Sequence, residues 1–310
     1  MTHLAKKNMI RIIFACLLLV MFFSVSSCNS KKRQLLSACL TTEEKADLDY
    51  FFRILMFENH GVFVLFGSKP ICEMFLRNTE SKDADIAFQQ WFDSLPKNKQ
   101  AEFKARMKNK TQEEIELKRN PYRGWLALQK LLKTLKTKRF LFRIVPLRGP
   151  GRYELMLINI QHTSLVMAQN YTAFRSAARM DFNPIQVTLE LQNPDSIFWK
   201  NIFSCPNHIT KGLLFGFGLK NSIFGDLRLT YSNTNVSSEL KKPIVKQLKA
   251  PSQVNQIKDG EGSPSNFTIP LFTSIEGDDW VEKYEKEKVE IERIYLGKDL
   301  VEVTLQRLME

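Results

Sequence analysis

Residues 139–160 read RFLFRIVPL-RGPG-RYELMLINI, with Arg139–Leu147 and Arg152–Ile160 flanking Arg148-Gly149-Pro150-Gly151. Each flank is an apolar, partly β-branched run, and a Gly-Pro-Gly centre supplies the backbone freedom of a tight reversal. The reading is a β-hairpin and hence a small antiparallel sheet. Most of the remaining periodic sequence is helical, which predicts an α+β fold, mostly helical.

On the N-terminal side, Thr41-Thr42-Glu43-Glu44 is a capping box that starts a helix running to about Phe57, with Leu48, Phe51, Phe52, Leu55 and Met56 on one face. Val62 to Phe66 reads as a short β-type run closed by Gly67-Ser68-Lys69-Pro70. Asp83 to Leu95 has a helical period, and Pro96 opens a further helix through Phe103 and Met107. Tyr122 to Lys136 is amphipathic, with Trp125, Leu128, Leu131, Leu132 and Leu135 on one side and Lys130, Lys133 and Lys136 on the flank. Its Leu stripe suits a protein core and, as the alternative, a membrane surface.

Beyond the hairpin, Thr163 to Met180 is helical, Asn183-Pro184 and Asn193-Pro194 restart helices, and His208 to Leu214 ends in Gly216-Phe217-Gly218. Residues 232–265 are rich in Ser, Asn, Lys, Gln and Pro, and read as a mobile loop. Phe267 to Phe272 reads as a late strand. Trp280 to Tyr295 is a charged helix, Gly297 its C-cap and Asp299 the N-cap of a last helix. With 44% hydrophobic residues in 310, the chain can bury a proper core, and residues 41–310 are expected to form a single domain.

Residues 1–27 have the order of an export signal. Lys6, Lys7 and Arg11 come first, Ile12 to Phe23 are uninterrupted apolar, and small residues follow. That run is short for a spanning helix. Val25-Ser26-Ser27-Cys28 resembles the lipobox of bacterial lipoproteins. The resemblance implies cleavage before Cys28, a diacylglyceryl group on its sulfur and a fatty acyl chain such as palmitate on the new amine. Two or three chains give stable anchoring where one does not. The membrane would thus be met through acylated Cys28, with residues 28–40 as a tether. Asn29, where enterobacterial inner-membrane retention uses Asp, favours the outer membrane. Gly61 to Pro70 (GVFVLFGSKP) and Gly212-Leu-Leu-Phe-Gly-Phe-Gly218 with Asn221 also resemble segments of uncharacterised lipoproteins of Chlamydia-like bacteria, which implies a Gram-negative envelope, an intracellular lifestyle and no known activity.

The formal charge is +12. Residues 97–148 hold ten Lys and six Arg against four Glu, so this segment carries the whole excess. Arg123, Lys130, Lys133 and Lys136 are its expected patch. Such a field attracts phospholipid headgroups, lipopolysaccharide, an acidic envelope protein or nucleic acid. Export argues against nucleic acid, and neither a zinc finger nor an RNP signature is present.

Chemistry-bearing motifs are few. Gly-x-Ser-x-Gly, Walker A and His-Glu-x-x-His are missing, and the two Ser-x-x-Lys matches, at Ser94 and Ser238, lack a companion Lys-Thr-Gly. Cys205-Pro-Asn-His208 has the spacing of half a zinc site and needs two more ligands. No cofactor or metal is therefore expected, and no catalytic residue is assigned. The leading expectation is a non-enzymatic, lipid-anchored envelope protein that binds a partner protein or an anionic envelope component through its basic segment. The alternatives are a small-ligand module with a pocket near 212–221, formed by Phe215, Phe217, Gly216, Gly218, Lys220 and Asn221, and a hydrolase pairing Cys72 with His60 or His162.

Overall fold

The computed structural model describes residues 40–78, 86, 89–90, 92–108, 120–147, 149, 151–205, 208–232, 248–249, 262–272, 274–275 and 278–310. Residues 1–27, Cys28 and Cys39 lie outside these, as does most of 232–265. The chain divides into Met1–Lys45 and Ala46–Glu310. In the first unit, Thr41 and Glu44 form the expected capping box: the Thr41 N–H donates to Glu44 Oε2 (2.7 Å), and the Glu44 N–H to Thr41 Oγ1 (3.1 Å).

The fold is α+β and mostly helical, with one three-stranded antiparallel sheet. Strands β1 (Ile71–Arg77), β2 (Phe140–Pro146) and β3 (Arg152–Asn159) lie in the order β1-β3-β2. The hairpin of β2 and β3 is paired from Phe140↔Asn159 to Pro146↔Tyr153, and Gly149 and Gly151 take positive φ in its turn. β1 joins the far side of β3, from Ile71↔Ile158 to Arg77↔Arg152.

Side chains alternate across these strands, so the register sorts them into two faces. One face carries Ile71, Met156 and Ile158 into a core with Met167, Phe174, Leu191, Phe198, Trp199, Ile202 and Leu214. Those residues come from α5 (Ile160–Gln169), α6 (Tyr171–Ala178), α8 (Ile197–Ser204), α9 (Ile209–Leu214) and the short helical turn Glu190–Gln192; α7 (Pro184–Leu189) adds Val187. The Trp199 indole donates to the Val187 carbonyl (2.6 Å), satisfying the one polar atom of a large buried ring.

The other face meets aromatic helices. α1 (Thr42–Phe52) continues into a π-turn, Arg53–Glu58, followed by α2 (Gly61–Leu65). α4 (Pro121–Leu132) begins with Asn120 accepting from the Tyr122 N–H and Pro121 in its first turn. Its Trp125 lies 5.6 Å from Phe142 of β2 and 6.3 Å from Phe51. α11 (Trp280–Tyr295) sets Tyr284 edge-on to Phe63, and α12 (Leu300–Met309) follows Asp299 as N-cap. The remaining elements are α3 (Lys97–Lys108), α10 (Leu219–Ser232) and a short ladder of β4 (Leu248–Lys249) with β5 (Ser274–Ile275).

Three expectations need correction. Val62 to Phe66 is not a strand: Val62 to Leu65 lie in buried helix α2, and Phe66 caps its C-terminal end. Every α2 residue from Gly61 to Leu65 is buried, so no alternation marks the element, and an apolar run this short does not distinguish strand from helix. Phe267 to Phe272 forms no strand either. Its rings are held by aromatic contacts, Phe267 with Phe57 and Phe272 with Phe217, and Pro270 cannot donate to a ladder. Thr163 to Met180 is two helices, broken at Asn170, whose amide caps the Val166 carbonyl.

Candidate functional site

Two regions concentrate charge. The first is α4 with the sheet edge beside it. Its apolar stripe of Trp125, Ala127, Leu128 and Leu131 is buried in the protein, while Arg123, Lys130, Lys133 and Lys136 are exposed. A groove of about 690 Å³ runs between α4 and β2. Its apolar floor includes Trp125, Leu126, Leu132, Phe142 and Ile144, and Lys130 and Lys133 line it with Gln129 and Gln192. β2 is an edge strand, and the Gln192 amide already donates to the outward Phe142 carbonyl (3.2 Å). Part of that edge is thus closed to an added strand.

The second region is a cleft of about 260 Å³ under the α1–α2 junction. The π-turn closes with the Asn59 backbone and amide both donating to the Ile54 carbonyl, and His60 then sits at φ 63°, the left-handed region. Such irregular backbone is costly and is held only by its surroundings. It turns the chain into buried α2, which delivers Lys69 to the cleft wall. Lys69 is only 4% exposed; its ammonium donates to the Phe215 carbonyl (2.7 Å) and lies 5.3 and 5.4 Å from the Phe215 and Phe217 rings. Glu58, Asn59, His60, Cys72, Glu73, Pro270 and Leu271 complete the lining.

Burial shapes the titration of this group of side chains. It pulls Lys69 down to about 8, against the charges of Cys72 and Glu73. It pushes the Cys72 thiol up to about 12, and pulls His60 down to about 3 with help from the Lys69 charge. Glu73 is pushed up to about 7 by burial and by its hydrogen bond and charge repulsion with Glu154, while Lys69 and Lys211 act the other way. Glu73 and Glu154 share a sheet face with Arg143, whose guanidinium lies over Phe203.

The expected pocket near 212–221 is partly there. Phe215 and Phe217 line the cleft. Gly216 and Gly218 do not; they let the chain pass close to α11. At φ 80° and 76°, a Cβ on them would collide with Tyr284 Oη and with the Trp280 ring. Lys220 is exposed on α10. Asn221 is buried and spent on structure, donating to the Phe217 carbonyl and Asp278 and accepting from the Ile275 N–H. Lys69 and Glu73 escaped notice because burial alone makes them unusual; the available signal was a lone cation between two apolar runs, Gly61–Phe66 and Ile71–Leu76.

Cys72 and His60 do line one cleft, but a thiol at about 12 beside an imidazole at about 3 opposes the proton transfer that a thiolate nucleophile needs. His162 lies on α5, with its ring also lowered by burial and by nearby Arg139, Lys283 and Arg307. Among the described residues, no group of three His, Cys, Asp or Glu side chains is placed to hold a metal, and no helix is long and apolar enough to cross a membrane. Compared with known protein families, curated proteins and solved structures, the chain has no match.

Proposed function

We propose that the chain is a lipid-anchored, non-enzymatic envelope protein that binds an anionic amphiphile, a phospholipid or lipopolysaccharide, along α4. The observation that carries this reading is the groove itself: exposed Lys130 and Lys133 beside an apolar floor. A ligand with an acidic head and a hydrocarbon tail matches both parts. A bare polyanion would leave the floor unused, and a strand-adding peptide would meet the Gln192 amide at the edge of β2.

Anchoring through Cys28 rests on the lipobox-like tetrapeptide and is tested separately by intact mass. The extracted protein should begin at Cys28 and carry lipid mass, and a Cys28→Ser variant should not. Binding is tested by flotation with phosphatidylglycerol or phosphatidylcholine vesicles. Replacing Arg123, Lys130, Lys133 and Lys136 together by Gln should remove most of the preference for the anionic lipid, at about 1 kcal/mol per residue. An unchanged preference would overturn the α4 assignment.

A further inference from the structure

We propose that the Lys69 cleft is a binding site for a small planar carboxylic acid, with the Lys69 ammonium as counter-ion and the Phe215–Phe217 rings as the stacking wall. This site shares no residue with the α4 groove and stands independently of it.

The argument begins with donors. An ammonium has three, and the Phe215 carbonyl takes one, which leaves two N–H groups beyond that bond, next to the Phe215 and Phe217 rings. No carboxylate of the chain forms an ion pair with Lys69 among the described residues. Glu73, which lines the same cleft, is instead hydrogen-bonded to Glu154. Glu58 is engaged by the Gly262 N–H, and the Glu287 carboxylate by the Ser68 N–H.

Charge points the same way. Lys69, Lys211 and Arg143 act on this corner of the sheet, and burial together with the contact to Glu154 pushes Glu73 up to about 7, so part of its charge is withheld near neutral pH. An incoming anion therefore meets a cation that lacks a full counter-charge. His60 contributes no charge near neutral pH, and its ring is occupied with the Ile269 backbone and Thr268 Oγ1, 3.3 Å away. Cys72 stays a thiol.

Shape sets the ligand class. Phe215 and Phe217 stack at 6.1 Å, and Phe217 stacks on Phe272 at 5.2 Å, so the wall is a layered aromatic surface. A cleft of about 260 Å³ has the volume of roughly nine waters, enough for a ring bearing one carboxylate and too small for a nucleotide. The two segments that build it, Gly61–Pro70 and Gly212–Gly218, meet here through Lys69 and Phe215 and through Gly216 beside Pro70.

The probe is benzoate, titrated calorimetrically into the full-length detergent-extracted protein. One saturable site is expected, with benzamide, the uncharged isostere, at least about tenfold weaker. Raising the pH from 6.5 to 9.5 should weaken benzoate about tenfold or more as Glu73 ionises in the cleft and Lys69 loses its proton, and leave benzamide unchanged. Lys69→Met should abolish the preference for the acid, while Lys220→Met, on the exposed face of α10, should keep it. Equal binding of acid and amide in the wild type, no benzoate binding at all, or a Lys69→Met variant that binds benzoate like the wild type would each overturn the proposal. The acid–amide and pH comparisons use only the native protein, so they decide the matter without any variant.

Discussion

Lys69 and Lys133 are the same residue in opposite circumstances. Lys133 stands on the solvent side of α4, keeps its water and belongs to a segment of net +12. Lys69 is enclosed by two phenylalanine rings and one carbonyl, and has given up nearly all its water. Many exposed cations create a long-range field at little individual cost, whereas one enclosed cation is expensive and locally decisive. Charge density along the chain thus locates a field, and burial locates a site.

Thiol labelling gives the widest contrast of this kind. Cys72 is 1% exposed and pushed up to about 12, while Cys205 is partly exposed at the end of α8. Iodoacetamide at pH 8 should modify Cys205 at least about a thousandfold faster than Cys72. Comparable rates would show that the cleft opens readily, and the enclosed half of the comparison would fail.

Lys69→Met and Lys133→Met sharpen the comparison directly. Lys69 is held at about 8 in the fold against 10.5 when exposed, so between those pH values the unfolded chain binds the proton and the native protein does not. Native stability should therefore rise by up to about 3 kcal/mol from pH 8 to 10.5, and the same amount is withheld at neutral pH. Urea unfolding should show Lys69→Met more stable than the wild type at pH 7, with the gap closing by pH 10.5. Lys133→Met should stay within about 0.5 kcal/mol of the wild type at both.

His60 adds a smaller effect on the acid side. Its folded pKa of about 3 lies below the ordinary 6.5, so the native state holds it neutral while the unfolded chain protonates. Stability is lost as pH falls from 6.5 towards 3, by about 2 kcal/mol once the accessible part of the residue is allowed for. His60→Asn, which keeps a residue tolerant of positive φ, should flatten this acid limb relative to the wild type.

The same contrast explains what could be read from the residues alone. The capping box at Thr41, the restart at Asn183-Pro184, the Gly297–Asp299 junction and the 139–160 hairpin are local signals, and each appears where its residues place it. β1 was missed because Ile71–Arg77 becomes a strand only by pairing with β3, about 80 residues further on. Val62 misled because a wholly buried helix has no polar face to betray its period. At the site, Phe215 and Phe217 were legible as an apolar run among glycines. Lys69 was not, since nothing local says that a Ser-Lys-Pro turn is wrapped by Phe215 and Phe217 from nearly 150 residues away.

The groove on α4 is tested most directly through Trp125, which lines its floor. Vesicles of phosphatidylglycerol or phosphatidylcholine with brominated chains would be added to the protein, with a Trp125→Phe variant to isolate this tryptophan's emission from the other three. The account predicts quenching of Trp125 by the brominated anionic lipid, weakened by added salt and by the Lys130→Gln, Lys133→Gln double variant, with little quenching by the zwitterionic lipid. Equal quenching by both lipids, indifferent to salt and to the two lysines, would contradict it.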